Sequence, residues 1–141
     1  MNEDTVRKWI LKADNDLKVA KDELETDEPV TDAVCFHAQQ CAEKYLKAFL
    51  IFNGEEISRT HDIAYLIALC SELDPDFKNL NRVDVVALTD YAVEIRYPDD
   101  FYFPDVEEAR SAVEIAEEIK DFVLKKLKKK GYKRKQNAEK R

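Results

Sequence analysis

The sequence predicts an all-α fold, an up-and-down bundle of four long helices plus one shorter helix. Apolar residues recur at steps of three and four along most of the chain, which is the period of amphipathic helices. Only two glycines and four prolines occur in 141 residues, too few for a turn-rich β fold. No segment has the alternating pattern of a β-strand, and the length fits one domain with a substantial core.

The first two helices are predicted to be antiparallel neighbours. The first runs from about Asp4 to Leu24, and Pro29 is well placed to open the second after an acidic turn. The second ends at Asn53-Gly54, because glycine readily adopts the left-handed conformation that ends helices. Its apolar face is formed by Val34, Ala38, Cys41, Tyr45, Ala48 and Phe52. We expect this helix to be the one against which the others pack.

The third helix is predicted to be short and the fourth to be long. Asp74-Pro75 stops the third helix, since the residue before a proline is disfavoured in the α conformation. The fourth is predicted to begin at Asn81 and to end at Tyr97, which precedes Pro98 for the same reason.

The last helix is predicted to begin at Asp105 and to lead into a basic tail. Its apolar residues keep the helical period as far as Leu127, after which lysines and arginines dominate. We therefore expect a helical bundle over residues 1–127 and a basic C-terminal tail over residues 128–141.

Charge is divided unevenly along the chain. From Lys125 to Arg141 there are ten basic residues and one acidic residue, a balance of +9. The totals of 23 basic and 30 acidic residues leave 13 and 29 before Lys125, a balance of −16. An acidic body disfavours broad nucleic-acid binding, which needs clustered lysine and arginine. The tail is expected to be a solvated helix end, with contact to RNA or to an acidic partner as the alternative.

Several functional classes are disfavoured by composition. No stretch approaches the ~20 apolar residues of a membrane span, and the acidic start of the chain is unlike a signal peptide, so we expect a cytoplasmic protein without membrane contact. The three cysteines lack CxxC spacing and are expected to be buried, reduced thiols. With two histidines, no metal-ligand spacing and no glycine-rich phosphate loop, we predict neither a metal site nor a cofactor other than a nucleotide ligand.

A row of polar and cationic residues lies beside the apolar face of the second helix. It is formed by His37, Gln40, Lys44 and Lys47. The entries to and exits from neighbouring helices add Arg59, His61, Arg96 and Tyr97. Arginine offers a bidentate fork to phosphate and lysine a point charge, so together these residues are typical of a phosphate site. Each also has an ordinary explanation: a hydrogen bond in the core for His37 and Gln40, solvent exposure for Lys44 and Lys47, and a helix end for the rest.

Three pieces of the sequence together resemble a known family. The first is Cys35 to Leu50, CFHAQQCAEKYLKAFL, followed by the Asn53-Gly54 break. The second is Arg59-Thr60-His61-Asp62, and the third is Tyr91-x4-Arg96-Tyr97-Pro98-Asp99. In this order and spacing they resemble the HEPN domain (higher eukaryotes and prokaryotes nucleotide-binding). The likeness also takes in Trp9, Ala13, Asp16 and Leu17 in the first helix, so it extends over roughly residues 5 to 125.

The resemblance bears on catalysis. Many HEPN proteins are metal-independent ribonucleases with an arginine followed four to six residues later by a histidine. Here the positions after Arg96 hold Asp100, Phe101 and Tyr102, and no histidine lies downstream. We therefore lean away from an enzyme. The Arg-Tyr-Pro-Asp form resembles instead the branch that is paired with minimal nucleotidyltransferases in toxin-antitoxin-like modules.

The leading hypothesis is a non-catalytic, homodimeric HEPN module. It would bind a nucleotide or nucleotide-bearing substrate and act with a separate nucleotidyltransferase. The residues assigned to the nucleotide are Arg96, Lys44, His61, Gln40, His37, Arg59, Tyr97 and Tyr102. Cationic groups would contact phosphate, Gln40 would order the site, and Tyr97 or Tyr102 would stack on the base.

Two alternatives stay open. One is a metal-independent ribonuclease toxin in which Arg96 stabilises the scissile phosphate and His37 or His61 is supplied by another helix. The other is a pure dimerisation scaffold in which the polar row specifies the seam between two copies.

Overall fold

The computed structural model describes residues 2–57, 59–92 and 102–133. Within these ranges every regular element is helical, which confirms the all-α class. The α-helices are α1 (Asn2–Leu24), α2 (Thr31–Phe52), α3 (Ile63–Leu73), α4 (Val83–Val86) and α5 (Val106–Lys129). Two 3₁₀ segments, Pro75–Leu80 and Ala87–Ala92, flank α4.

Helix α2 is the centre of the bundle, as predicted, but it is buried on more than the one predicted face. Every residue from Tyr45 to Leu50 is buried, and six consecutive helical residues cover the full circumference. The reason is that α1, α3 and α5 all pack against α2, so little of its surface reaches solvent. Three polar residues on α2, Gln39, Glu43 and Lys47, therefore lie in the interior and need internal partners.

The segment after Asn81 departs from the predicted long α-helix. The described chain forms the four-residue α4 and then the 3₁₀ segment Ala87–Ala92. β-branched residues are dense here: Val83, Val85, Val86 and Thr89. Such residues lose side-chain freedom in an α-helix, which lowers the helical preference of this segment. The remainder of the predicted helix, to Tyr97, lies outside the described residues.

Both glycines of the chain end a long helix. Gly54 (φ 82°) follows α2 and Gly131 (φ 99°) follows α5, and each has the left-handed backbone that favours glycine. The N–H of Tyr132 donates to the carbonyl of Leu127 at 3.0 Å, which completes a Schellman cap at the end of α5. Tyr132 is 5% exposed and packs edge-on against Phe52, with ring centroids 6.0 Å apart.

All three cysteines are buried, as predicted. Burial raises the pKa of the Cys35 thiol to about 12 and also raises the pKa values of Cys41 and Cys70. These thiols are therefore protonated at neutral pH and act as small apolar groups in the core. In the part of the chain that the structure describes, no helix is long and apolar enough to cross a membrane.

Candidate functional site

The polar row of α2 is joined to α1 by a single carboxylate. Asp16 lies on α1, where its Oδ1 is 2.8 Å from Nδ1 of His37 and its Oδ2 accepts a hydrogen bond of 2.5 Å from Nζ of Lys44. His37 and Lys44 are seven residues apart, two turns of helix, so their side chains project from one face of α2 toward the same point on α1. Lys44 also donates to Oε1 of Gln40 at 3.4 Å.

A chain of hydrogen bonds continues from Gln40 into the interior. Gln40 donates to Oε1 of Gln39 at 2.7 Å, and Gln39, which is fully buried, donates to Oε1 of Glu43 at 2.9 Å. Lys47 donates to Oε2 of Glu43 at 2.7 Å, and Nδ1 of His61 lies 3.0 Å from Oε1. Glu43 therefore has three polar partners on two separate elements.

Glu43 and Lys47 form a buried ion pair. Both side chains are only 5% exposed. Burial raises the pKa of Glu43, but hydrogen bonds from Lys47, Gln39 and His61 outweigh it, so the net pKa is lower than the ordinary value. Nζ of Lys47 also lies 5.9 Å from the ring centroid of Trp9, within the range of a cation–π contact. The explanation of Lys47 as a solvent-exposed cation is therefore wrong.

These contacts define what we call the polar network. Its members are Asp16, His37, Gln39, Gln40, Glu43, Lys44, Lys47 and His61. Two carboxylates offset two lysines, so the interior of the polar network carries little net charge when the histidines are neutral. Internally balanced groups of this kind hold one geometry and leave little cationic charge for a ligand.

The polar network opens to solvent at the entry to α3. The side chain of His61 is 56% exposed, although its Nδ1 is held by buried Glu43. Arg59, two residues earlier, is exposed, and within the described ranges no carboxylate lies in ion-pair distance of it. Asp62 then caps α3, with its carboxylate accepting from the N–H of Tyr65 at 3.2 Å. His61 is thus fixed between a buried anion and a capped helix start.

Tyr102, another predicted site residue, makes its hydrogen bond outside the polar network. The hydroxyl of Tyr102 donates to Glu108 at the start of α5, and the hydroxyl of Tyr91 donates to the other oxygen of the same carboxylate. Arg96 and Tyr97 lie outside the described residues. In the described segments, no group of three or more histidine, cysteine, aspartate or glutamate side chains is arranged to hold a metal ion.

Sequence reasoning missed three members of the polar network, which are Asp16, Gln39 and Glu43. Gln39, Glu43 and Lys47 recur at intervals of four, which places them on one face of α2, and this spacing was a usable signal. Asp16 has no comparable local signal, because its partners lie on another helix. Whether Lys47 is exposed or buried depends on which residues of other helices pack over it. The periodicity of α2 gives no information about those residues.

Comparisons with known proteins agree with this architecture. A protein from Methanocaldococcus jannaschii named "Putative toxin MJ1304" is 32% identical over 136 residues, which cover 84% of this chain and 88% of that protein. Among solved structures, TT1696 from Thermus thermophilus has a TM-score of 0.67 at 28% identity and covers 89% of this chain and 99% of its own. The archaeal HEPN homologue ST0689 has a TM-score of 0.62 at 27% identity, with coverage of 86% and 96%.

The family profile of the HEPN domain matches residues 6–128. This range contains all five α-helices, apart from the first four residues of α1 and the last residue of α5. The match also contains the whole of the polar network, from Asp16 to His61. Because it extends over most of the chain, we conclude that the protein belongs to the HEPN domain family.

Proposed function

We propose that this protein is the helical member of a toxin-antitoxin-like pair, which binds a nucleotide or nucleotide-bearing substrate and acts with a separate minimal nucleotidyltransferase. Membership of the HEPN family and similarity to a protein named as a toxin support the two-component role. The observation that carries the binding proposal is the open end of the polar network, where exposed Arg59 and His61 are two residues apart at the entry to α3.

Charge balance favours Arg59 and His61 as the phosphate contacts. Lys44 is occupied by Asp16 and Lys47 by Glu43, so a phosphate would have to compete with a carboxylate for either cation. Arg59 is exposed and free of such competition in the described ranges, and a guanidinium binds phosphate in a bidentate manner. The role of His37 and Lys44 is then to hold α2 in register with α1 through Asp16, while Gln40 links Lys44 to Gln39 within α2.

The interior part of the polar network prepares His61 for binding. Glu43 holds Nδ1 of His61, so Nε2 on the opposite side of the imidazole is directed away from the carboxylate. Gln39 and Lys47 in turn fix Glu43 by hydrogen bonds of 2.9 and 2.7 Å. A ligand that contacts Nε2 therefore meets a side chain whose rotamer is already restricted, which lowers the entropy cost of binding.

Thermal unfolding with ATP, GTP, UTP and CTP, with and without magnesium, tests the binding proposal. A ligand at 100 times its dissociation constant stabilises the native state by about 2.7 kcal/mol. We expect at least one nucleotide to raise the melting temperature and Arg59→Ala to abolish the rise. Arg110→Ala is the matched control, since Arg110 is also an exposed arginine but lies on α5. No shift with any nucleotide, or an equal shift in both variants, would contradict the proposal.

The partner proposal concerns assembly. Tyr102 and Phe103 are 60% and 70% exposed immediately before α5, and exposed aromatic pairs are typical anchors of protein interfaces. We expect the chain to form a homodimer that binds a nucleotidyltransferase. Light scattering after size exclusion measures the mass of the protein alone and the mass of the complex after mixing with the nucleotidyltransferase. Phe103→Ser should weaken the mixed complex, whereas Val19→Ser on α1, also an exposed apolar residue, should not.

A metal-independent ribonuclease is the second candidate, and one observation favours it. Each histidine is held through Nδ1 by a carboxylate, His37 by Asp16 and His61 by Glu43, and this arrangement orients an imidazole for proton transfer. RNA incubated with the protein and a chelator should then be cleaved, with the cleavage lost in His61→Ala or His37→Ala. RNA that stays intact with the unsubstituted protein would exclude this candidate.

A further inference from the structure

The C-terminal end of α5 presents five exposed lysines on an otherwise acidic protein. They are Lys125, Lys128, Lys129, Lys130 and Lys133. We call this set the lysine platform. Throughout the described chain, no carboxylate lies within the 4.0 Å ion-pair distance of any of them. Most basic residues before them are paired with a carboxylate: Arg7, Lys8, Lys18, Lys21, Lys44, Lys47, Arg82, Arg110 and Lys120.

The lysine platform is held in place by three contacts. Nζ of Lys126 lies 3.0 Å from Oδ2 of Asp74 and 2.5 Å from Oδ2 of Asp76, so α5 is tied to the start of the first 3₁₀ segment. The Schellman cap at Gly131 ends the helix in a defined geometry. Tyr132 is buried against Phe52 beyond that cap. Up to residue 133, the expected solvated helix end therefore has a defined geometry.

Three of the five platform lysines point in a common direction. At 100° per residue, Lys125, Lys128 and Lys129 fall on the outer face of α5, opposite buried Val123 and Leu127. The rise from Lys125 to Lys129 is about 6 Å. Three cationic groups therefore follow one edge of the helix at short intervals, which suits a ligand with repeated negative charges.

The composition of the platform favours a phosphate backbone over a protein partner. The two bulky apolar residues between Lys125 and Lys133, Leu127 and Tyr132, are buried, so the platform offers no exposed apolar anchor. Protein interfaces are depleted in lysine at their centres and depend on such anchors, whereas phosphate contacts need only clustered cations. From Lys125 to Lys133 there are six lysines and no acidic residue, while the chain before Lys125 carries a formal charge of −16.

We propose that the lysine platform binds the phosphate backbone of single-stranded RNA, without reading its bases. The acidic body repels the same ligand, so contact is confined to one end of the bundle and gives the bound strand a defined position. No aromatic side chain is exposed within the platform to stack on a base, which is why sequence preference is not expected. The proposal is independent of nucleotide binding at Arg59 and His61.

Fluorescence anisotropy of a labelled oligouridylate with the full chain, over increasing potassium chloride, tests this proposal. Three phosphate contacts, one for each lysine on the outer face of α5, should give a slope of log affinity against log salt of about −2.1, since each contact with a single strand contributes about −0.7. Lys128→Glu combined with Lys129→Glu should reduce the size of the slope by about 1.4 and weaken binding about tenfold or more. An oligoadenylate should bind with similar affinity.

The matched control changes the net charge equally elsewhere. Lys18→Glu combined with Arg110→Glu alters two exposed cations on α1 and on the first half of α5. This variant should keep the affinity and the slope of the unsubstituted protein. Equal losses in the two double variants would overturn the proposal, because they would indicate a response to net charge alone. Failure to bind RNA at low salt, with binding to polyglutamate instead, would also overturn it and would indicate an acidic protein partner.

Discussion

Tyr91 and Tyr102 donate their hydroxyl hydrogen bonds to the same carboxylate, Glu108, although eleven residues separate them in sequence. Burial and then the hydrogen bond to Glu108 raise the pKa of Tyr91, and the bond to Glu108 raises the pKa of Tyr102. Both hydroxyls therefore stay protonated and able to donate. Glu108 thus ties the 3₁₀ segment Ala87–Ala92 and the chain before α5 to the first turn of α5.

Glu108→Gln should lower the free energy of unfolding by about 1 to 2 kcal/mol, because the acceptor of two hydrogen bonds loses its charge. Urea unfolding at neutral pH measures the change. Glu114→Gln is the control, since Glu114 is exposed on the same helix and should change stability little. Equal stabilities of the two variants would mean that the double contact with tyrosine contributes nothing.

The buried Glu43–Lys47 pair should be strongly coupled. Lys47→Met leaves Glu43 as a buried anion without its lysine partner, and the loss should be about 3 to 5 kcal/mol. Glu43→Gln likewise leaves Lys47 as a buried cation without its carboxylate partner. The double variant should be less destabilised than the sum of the two, by about 1 kcal/mol or more, in a double-mutant cycle from urea unfolding. Additive losses would contradict the description of the two residues as one buried pair.

Acid should weaken the fold through Glu43. Its pKa is lower in the folded chain than the ordinary value of 4.5, so the folded state favours the anion. The resulting stability is present above about pH 4.5 and is lost as the pH falls through the lower folded pKa. Thermal melts over this range should have a smaller pH dependence in Glu43→Gln than in the unsubstituted protein.

Alkali should weaken the fold through the buried thiols. The pKa of Cys35 is raised from 9.0 to about 12 by burial, so its contribution to stability is present below about pH 9 and is lost as the pH rises. Cys35→Ala should reduce the slope of the unfolding free energy by about 1.4 kcal/mol per pH unit between about pH 9 and 11. Urea unfolding across this range measures the slope. A slope unchanged by the substitution would mean that the thiol ionises as readily in the folded chain as in the unfolded one.

Replacing Gly54 should lower the free energy of unfolding, although there is free space around this residue. A Cβ at this position would have no neighbour within 4 Å, so the cost of Gly54→Ala comes from the positive φ of 82° alone. We expect a loss of about 1 to 2 kcal/mol in urea unfolding. Gly54→Asn should lose less than Gly54→Ala, since asparagine tolerates the left-handed region better than other residues.

Parts of the fold that depend on local chemistry could be predicted from the sequence. The end of α2 at Asn53-Gly54 and the end of α3 at Asp74-Pro75 follow from glycine and proline, and both occur as expected. The long helix predicted after Asn81 is replaced by a short α-helix and a 3₁₀ segment. The apolar residues there have a helical period, but the β-branched residues are weak helix formers, and the period alone does not reveal this. The burial of α2 all round from Tyr45 to Leu50 depends on three neighbouring helices. Its signature is the nearly continuous apolar run around these residues, which the prediction of a single apolar face left unused.

The sequence predicted many of the residues of the candidate site, but not the hydrogen bonds and ion pairs that join them. His37, Gln40, Lys44 and His61 do belong to one polar network, yet the carboxylates that join them were not identified. In the sequence, the lysines of α2 predict a positively charged surface. In the structure, the charge of Lys44 is neutralised by an ion pair with Asp16. A cation counts toward a phosphate site only when its neighbours leave it unpaired, and this information is three-dimensional.

Trp9 is the single tryptophan of the chain, and the ammonium group of Lys47 lies 5.9 Å from the centre of its ring. The protein therefore carries one indole fluorophore, and it is situated beside the most buried cation of the polar network. Indole emission is sensitive to nearby charge and to water, so its wavelength and intensity report on whether the adjacent ion pair is intact. Events at His61, which contacts the other oxygen of Glu43, can thus be followed optically without any label.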